Sequence, residues 1–151
     1  MPRLTLPVAV HVFLLRGHTV LLARRAGTGF EDGNYGPPGG HLEPHETIFE
    51  AAIRECSEEV GVGLEPTTLE VIGVTHYTSP TGDGIDFFFR TTRWTGEPTV
   101  TAECGDLRWS PPDALPSNTA LFVRRAVEHH LLTGVWFDET GWTQIIGIGA
   151  G

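Results

Sequence analysis

The chain has 151 residues, and its 40% hydrophobic content is enough for one domain with a buried core and too high for a disordered protein. A formal net charge of −9 argues against a basic surface for long nucleic acids, although a single nucleotide can still bind an acidic site through a divalent metal ion. From the length we expect one domain over 1–151. Two cysteines do not make a disulfide framework, so we expect a reducing compartment, the cytoplasm.

The first part of the chain predicts two strands over residues 5–15 and 19–25, joined by the turn "RGH". This apolar start is as long as a signal peptide but lacks a small-residue cleavage site, so we interpret it as part of the mature domain. No apolar run approaches the roughly 20 residues that span a bilayer, and we expect no membrane segment. Residues 26–40, "AGTGFEDGNYGPPGG", predict a loop because turn-forming residues dominate them.

A helix is predicted over residues 47–60. Thr47 and Glu50 have the spacing of a capping box at its start, and Gly61 stands where a helix ends. At 100° per residue, one face of this helix is apolar and comprises Phe49, Ala52, Ile53, Cys56 and Val60. We interpret Cys56 as a small buried hydrophobe rather than a nucleophile or a ligand.

The second half predicts strands over 69–77 and 85–93 separated by the loop "TSPTGDG", a short strand near 107–109, and a second helix over 119–132. The tail from about residue 134 is ambiguous: an added strand, a cover for a site and an interface segment are all compatible with it. The order of strands, helix, strands, helix predicts a mixed sheet with helices on its faces.

Three glutamates crowd the C-terminal end of the first helix, Glu55, Glu58 and Glu59. A solvated acidic face is the commonest interpretation of such a run. However, like charges at i+3 and i+4 destabilise a helix by about 0.2–0.5 kcal/mol per pair, and the helix dipole favours cations at this end. A bound divalent cation would reverse the sign of this energy, and carboxylates are ligands for Mg²⁺ or Mn²⁺. Spacing alone leaves both interpretations open.

Residues Gly40 to Val62 resemble the signature box of the Nudix hydrolases. That pattern is Gly, five residues, Glu, seven residues, Arg-Glu, an aliphatic residue, any residue, Glu-Glu, any residue, Gly and an aliphatic residue. Gly40, Glu46, Arg54-Glu55, Glu58-Glu59 and Gly61 match it, and Cys56 is the one departure. "YGPPGG" before the box and "GDLRWSPPDALP" after it resemble segments of the MutT-like branch of the family.

The resemblance implies a Nudix fold, which is an α/β/α sandwich with a mixed, partly antiparallel sheet. It also implies cleavage of a diphosphate linked to a nucleoside, with Mg²⁺ as the cofactor and Mn²⁺ as an alternative. Glu55, Glu58, Glu59 and the backbone carbonyl of Gly39 are then the expected metal ligands, and Arg54 is expected to orient a glutamate. Nudix domains often form homodimers.

The resemblance leaves the general base open between a box glutamate and a glutamate of a later loop, for which Glu103 is the best candidate and Asp83 and Asp86 are weaker. We expect Gly40, Tyr35 and Glu46 to contact substrate, although Glu46 could also serve only to hold its loop. Possible walls for the base are aromatic or apolar residues, most of which are better explained by core packing: Phe30, Tyr35, Tyr77, Phe87, Phe89 and Leu121. Lone histidines such as His11 carry no signal.

The resemblance favours hydrolysis of a nucleoside triphosphate to a monophosphate and pyrophosphate. Hydrolysis of nucleotide sugars or dinucleoside polyphosphates is the alternative within the same chemistry. A non-catalytic nucleotide-binding module is the alternative of another class, but such modules commonly lose box glutamates, which are all present here.

Overall fold

The computed structural model describes residues 1–27 and 31–142. Within these ranges the strands are β1 (Val8–Arg16), β2 (Thr19–Arg25), β3 (Tyr35–Gly36), β4 (Gly39–His41), β5 (Glu70–Ser79), β6 (Gly82–Thr91), β7 (Cys104–Ser110) and β8 (Phe137–Thr140). The helices are α1 (Ile48–Val60) and α2 (Leu121–Ala126), and α2 continues as a π-helical segment, Val127–Leu132. A short 3₁₀ turn spans Pro66–Thr68. None of the helices in the described ranges is long and apolar enough to cross a membrane.

The described strands form one mixed sheet with the order β3-β2-β1-β6-β5-β8. β1 runs parallel to β6, β5 runs antiparallel to β6 and parallel to β8, and β2 pairs antiparallel with β1 and β7. β4 pairs antiparallel with the first half of β1. β1 therefore lies at the centre, with partners on both sides.

Alternation along β1 divides the interior into two cores. Val10, Val12 and Leu14 face α1 and belong to a cluster that includes Cys56 of that helix. Phe13 faces the other side and packs with Val123 of α2. One helix thus covers each face of the sheet, which confirms the predicted α/β/α sandwich.

Cys56 has no exposed surface and is buried with its neighbours on the apolar face of α1, as its position on the helix predicted. Phe49 on the same face remains 36% exposed, but its ring meets Phe89 edge-on with centroids 5.1 Å apart. The predicted face is therefore confirmed for Ala52, Cys56 and Val60, and Cys56 fills the place of an aliphatic side chain.

Two predicted loops contain strand residues, four of the described residues in 26–40 and five of the seven in 78–84. Residues 26–40 contain β3 and β4, because Tyr35 exchanges backbone hydrogen bonds with Asn118 and Ala120, and Gly39 pairs with His11. These partners are distant in sequence, and glycines give no alternation to reveal a strand. The segment "TSPTGDG" is a tight hairpin, since β5 continues to Ser79 and β6 starts at Gly82.

The other bounds differ less. The first strand starts at Val8 rather than at residue 5, β7 extends the strand predicted near 107–109, and the second helix starts at Leu121 and changes to π-helix from Val127. The ambiguous tail supplies an added strand, β8, which pairs with β5. The rest of the tail, 143–151, lies outside the described residues.

A buried histidine fastens the π-helical segment to the sheet. His130 is 2% exposed, its Nε2 lies 3.0 Å from the hydroxyl of Thr75, and its Nδ1 lies 2.6 Å from the carbonyl oxygen of Val135. The ring also occupies the space that a side chain at Gly73 would need, because a Cβ there would lie 2.2 Å from it. Burial lowers the pKa of His130, with His129, Arg125 and Asp138 as the neighbouring charges.

We predict that His130 makes the fold sensitive to acid. As the pH falls below about 6.5, the ordinary pKa of histidine, the unfolded chain binds a proton at this residue. The folded chain does not bind that proton, because burial lowers the pKa of His130. The free energy of unfolding therefore decreases as the pH decreases. The variant His130→Asn should be less stable than the parent at pH 7.5, and the difference should narrow toward pH 5.5. Urea unfolding at the two pH values measures this. A difference that stays constant or widens would contradict the prediction.

Candidate active site

The end of α1 places the acidic side chains. Thr47 caps the helix reciprocally with Glu50, which fixes the helix start. Gly61 ends it in a left-handed conformation with φ of 73°, and its N–H donates to the carbonyl of Ser57. No basic side chain occupies the last turn of α1. No cation in the last turn of the helix therefore offsets the negative charge of these carboxylates.

Three carboxylates converge at this end. Oxygens of Glu55, Glu58 and Glu103 all lie within 4.8 Å of one another. Glu55 is buried, whereas Glu58 and Glu103 are exposed. Burial raises the pKa of Glu55, and the adjacent Arg54 acts in the opposite direction. We call these three residues the carboxylate cluster.

The cluster fits a hard divalent cation. Its donors are carboxylate oxygens, which Mg²⁺ binds at about 2.1 Å. Small rotations of the exposed Glu58 and Glu103 side chains would bring their oxygens to this distance from one ion. Metal binding requires the deprotonated carboxylates and would offset their mutual repulsion. The donor set is therefore compatible with Mg²⁺ or Mn²⁺.

Arg54 lies among the glutamates and donates hydrogen bonds to three of them. Its Nε and Nη2 donate to both oxygens of Glu46, at 2.6 and 3.0 Å, and its Nη2 also donates to the carbonyl of His41 at 3.1 Å. Its Nη1 donates to Glu55 at 2.8 Å and to Glu58 at 3.2 Å. These bonds agree with the expectation that Arg54 orients glutamates. Glu46, expected to contact substrate or to hold its loop, accepts hydrogen bonds from Arg54, which lowers the pKa of Glu46, and its contact with substrate stays a prediction.

Strand β4 passes directly over the carboxylates. A Cβ at Gly40 would lie 2.4 Å from an oxygen of Glu55, so a side chain there would displace the carboxylate. The N–H of Gly39 donates to Oε2 of Glu59 at 2.7 Å. Burial raises the pKa of Glu59 to about 8, and the bond from Gly39 opposes this shift. Glu59 is thus held by the β4 backbone and is outside the carboxylate cluster, and its role as a metal ligand stays a prediction.

The loop that carries Glu103 is tied to the end of α1. The hydroxyl of Thr101 donates to the carbonyl of Glu59 at 2.7 Å and accepts from the N–H of Glu103 at 3.3 Å. The Sγ of Cys104 lies 3.6 Å from the same carbonyl. A helix carbonyl that lacks an intrahelical partner therefore anchors the loop. Sequence reasoning missed Thr101, because nothing in the local sequence reveals its distant partner.

A large cavity of about 1100 Å³ adjoins β4 on the α2 side of the sheet. Gly39, Gly40 and His41 form one wall, which connects the cavity with the carboxylates. The opposite walls come from β5, from the hairpin after it, and from Leu121, Phe122 and Arg125. Its size suits a ligand as large as a nucleotide.

The candidate base walls divide between cavity and core. Tyr77 and Leu121 line the cavity, whereas Phe87 and Phe89 face the core beneath α1. Tyr35, also predicted to contact substrate, is packed beneath α2 with its hydroxyl bonded to Asp106 and is absent from the cavity lining. Phe30 lies outside the described residues.

Comparison with known proteins decides the family. The sequence model of the NUDIX domain matches residues 5–131. The chain belongs to the Nudix family. This confirms the resemblance drawn from the box between Gly40 and Val62.

Nudix relatives with assigned names act on different substrates. A Mycobacterium tuberculosis protein, provisionally named 8-oxo-dGTP diphosphatase 3, is 32% identical over 74% of this chain and 46% of its own length. The NAD-capped RNA hydrolase NudC of Pseudomonas aeruginosa is 34% identical over 80% of this chain and 41% of its own length. This chain therefore spans less than half the length of both relatives.

Solved structures agree with the Nudix fold. The MutT NUDIX hydrolase of Burkholderia pseudomallei superimposes with a TM-score of 0.75 at 26% identity, covering 82% of this chain and 97% of the other. A MutT protein of Bacillus halodurans gives a TM-score of 0.72 at 22% identity over 87% of both chains, which shows the shared fold alone.

We predict that Thr101 supports metal binding in this Nudix domain through the position of Glu103. Thr101→Val removes the hydroxyl and should weaken Mn²⁺ binding by about tenfold, the lower range for a group that positions a ligand. Titration calorimetry on the purified protein measures this. Thr101→Ser, which keeps the hydroxyl, should bind Mn²⁺ like the parent. Equal affinity of the parent and the valine variant, or equal losses in both variants, would contradict the assigned role.

Proposed function

We propose that this Nudix protein is a divalent-metal-dependent pyrophosphohydrolase that converts a nucleoside triphosphate to a monophosphate and pyrophosphate. The observation that carries the proposal is that Gly40 of β4 both lines the cavity and lies against Glu55 of the carboxylate cluster. A nucleoside bound in the cavity would place its phosphates toward the cluster. The net charge of −9 favours such a small substrate over a nucleic acid polymer.

The residues divide the chemistry between them. Together with one oxygen of Glu103, Glu55 and Glu58 would hold the metal, which when bound would neutralise phosphate charge and lower the pKa of water. Arg54 keeps the carboxylates of Glu55 and Glu58 oriented through its hydrogen bonds to them. We assign to the second oxygen of Glu103 the acceptance of a proton as water forms a new P–O bond and the anhydride P–O bond breaks, because the exposed loop position of Glu103 leaves this oxygen accessible. Location in the cytoplasm and homodimer formation stay predictions.

A substrate panel tests the proposed reaction. The protein is incubated with Mg²⁺ and ribo- or deoxyribonucleoside triphosphates, ADP-ribose, a nucleotide sugar and a dinucleoside polyphosphate, and the products are separated by ion-exchange chromatography. We expect monophosphate and pyrophosphate from a triphosphate, and none after EDTA treatment. Cleavage of ADP-ribose or another linked diphosphate without triphosphate cleavage would favour the alternative hydrolase. Nucleotide binding without any cleavage would favour the non-catalytic module.

We predict that Glu58 is essential for turnover and dispensable for folding. Glu58→Gln removes a charged ligand and should lower kcat by about two orders of magnitude or more, the usual cost of losing electrostatic stabilisation of the transition state. Circular dichroism should show the parent fold, since Glu58 is exposed. The exposed Glu65 provides the matched control, and Glu65→Gln should keep the parent kcat. A parent-like rate in Glu58→Gln would overturn the metal-site assignment.

A further inference from the structure

The interior of the cavity contains a pair of polar side chains that the proposed hydrolysis does not use. Nε2 of His11 on β1 lies 3.2 Å from Oδ1 of Asp86 on β6. The two residues are only 7% and 8% exposed, and both line the cavity. Sequence reasoning treated His11 as uninformative and Asp86 as a weak general-base candidate, because nothing in the sequence showed that they meet.

The sheet register makes room beside Asp86. Its carboxylate is on the α2 face, the same face as Phe88 two residues later. Its cross-strand neighbours are Ala9 on β1 and Thr75 on β5, both of which are small. A large residue at either position would fill this part of the cavity. The register therefore leaves the carboxylate facing open space.

Packing holds His11 in one orientation. Its ring stacks on Phe88 with centroids 5.0 Å apart and an interplanar angle of 23°, and it leans against Phe122 at 5.2 Å. A Cβ at Gly39 would lie 2.8 Å from Nδ1 of His11, so the absence of a side chain at Gly39 leaves room for the ring. Because the ring is confined, Asp86 is held by a fixed partner rather than by a mobile side chain.

Asp86 retains capacity to accept hydrogen bonds from a ligand. A carboxylate offers about four acceptor positions, and His11 uses one of them. Two neighbouring polar groups of the cavity have partners of their own: the hydroxyl of Thr75 contacts His130 at 3.0 Å, and Arg125 donates twice to Asp138 at 2.8 and 2.9 Å. Burying a carboxylate is costly unless donors surround it, so a ligand that supplies N–H donors is favoured here.

We propose that Asp86, held by His11, recognises the base of the substrate and selects guanine nucleotides. Guanine is the common base with two adjacent N–H donors on its pairing edge, at N1 and the exocyclic N2, and two parallel donors match a carboxylate. Adenine presents an acceptor at N1, cytosine has an acceptor beside its amino group, and uracil has one N–H between two carbonyls. Oxidation at C8 leaves the guanine edge unchanged, so intact and 8-oxo forms both qualify.

The inference rests on the proposed function, because it names the base of the same substrate. The first experiment compares kcat/KM of the parent protein for GTP, ITP and ATP with Mg²⁺. ITP lacks only the N2 amino group, and ATP lacks both donors. We expect the order GTP, ITP, ATP, with about tenfold or more between GTP and ATP, the usual effect of hydrogen bonds to a charged group.

A variant locates the preference. Asp86→Asn keeps the size of the side chain but replaces one acceptor oxygen with a donor, and it should raise KM for GTP and reduce the GTP/ATP ratio of kcat/KM by about tenfold. The exposed Asp113, which is outside the cavity lining, provides the control, and Asp113→Asn should keep the parent ratio.

The outcomes separate the two proposals. Failure to cleave any triphosphate would reject the proposed function. Cleavage with equal kcat/KM for GTP and ATP, or a GTP preference that Asp86→Asn leaves intact, would reject only the role of Asp86. If Asp86→Asn does not fold, the ITP comparison decides, because equal rates for GTP and ITP would mean that the N2 amino group is not recognised.

Discussion

The site depends on the contact between Arg54 and the carboxylates around it. One guanidinium binds both oxygens of Glu46 and also reaches Glu55 and Glu58. Without a cation at this point, buried Glu55 would carry its charge beside other carboxylates at a helix end that disfavours anions. Arg54 offsets part of the repulsion among the glutamates and holds them in place. A bound divalent ion would offset the repulsion that remains.

Strand β4 lines the cavity and lies against the Glu55 carboxylate, and so connects the acidic residues with a binding site. Gly40 allows the backbone to approach Glu55, and Gly39 binds Glu59 through its N–H and makes room for the ring of His11. The two glycines therefore contact the carboxylates on one side and the cavity on the other. A side chain at Gly40 would collide with the Glu55 carboxylate, and one at Gly39 would collide with the backbone of Val10 and the ring of His11. This explains in physical terms why two consecutive glycines precede the acidic helix.

The helix that carries the acidic residues could be predicted from the sequence, whereas the lining of the cavity could not. Helix α1, with its cap, its apolar face and its crowded glutamates, follows from spacing within 15 residues or so, because helical geometry converts such spacing directly into positions. Tyr35 was predicted to meet substrate and is packed beneath α2, since its environment depends on Asn118 and Ala120. The segments 26–40 and 78–84 were predicted as loops because glycine and proline hide strand pairing.

The sequence alone determined the family, the α/β/α architecture and the helix that presents the glutamates, since these depend on local periodicity and on a motif contained in one segment. Only the tertiary structure decided which distant groups join them. Glu103 reaches the helix through the hydroxyl of Thr101, and His11 meets Asp86 across 75 residues of sequence. Strand register and side-chain packing fix these contacts, and neither can be read from the order of residues in one segment.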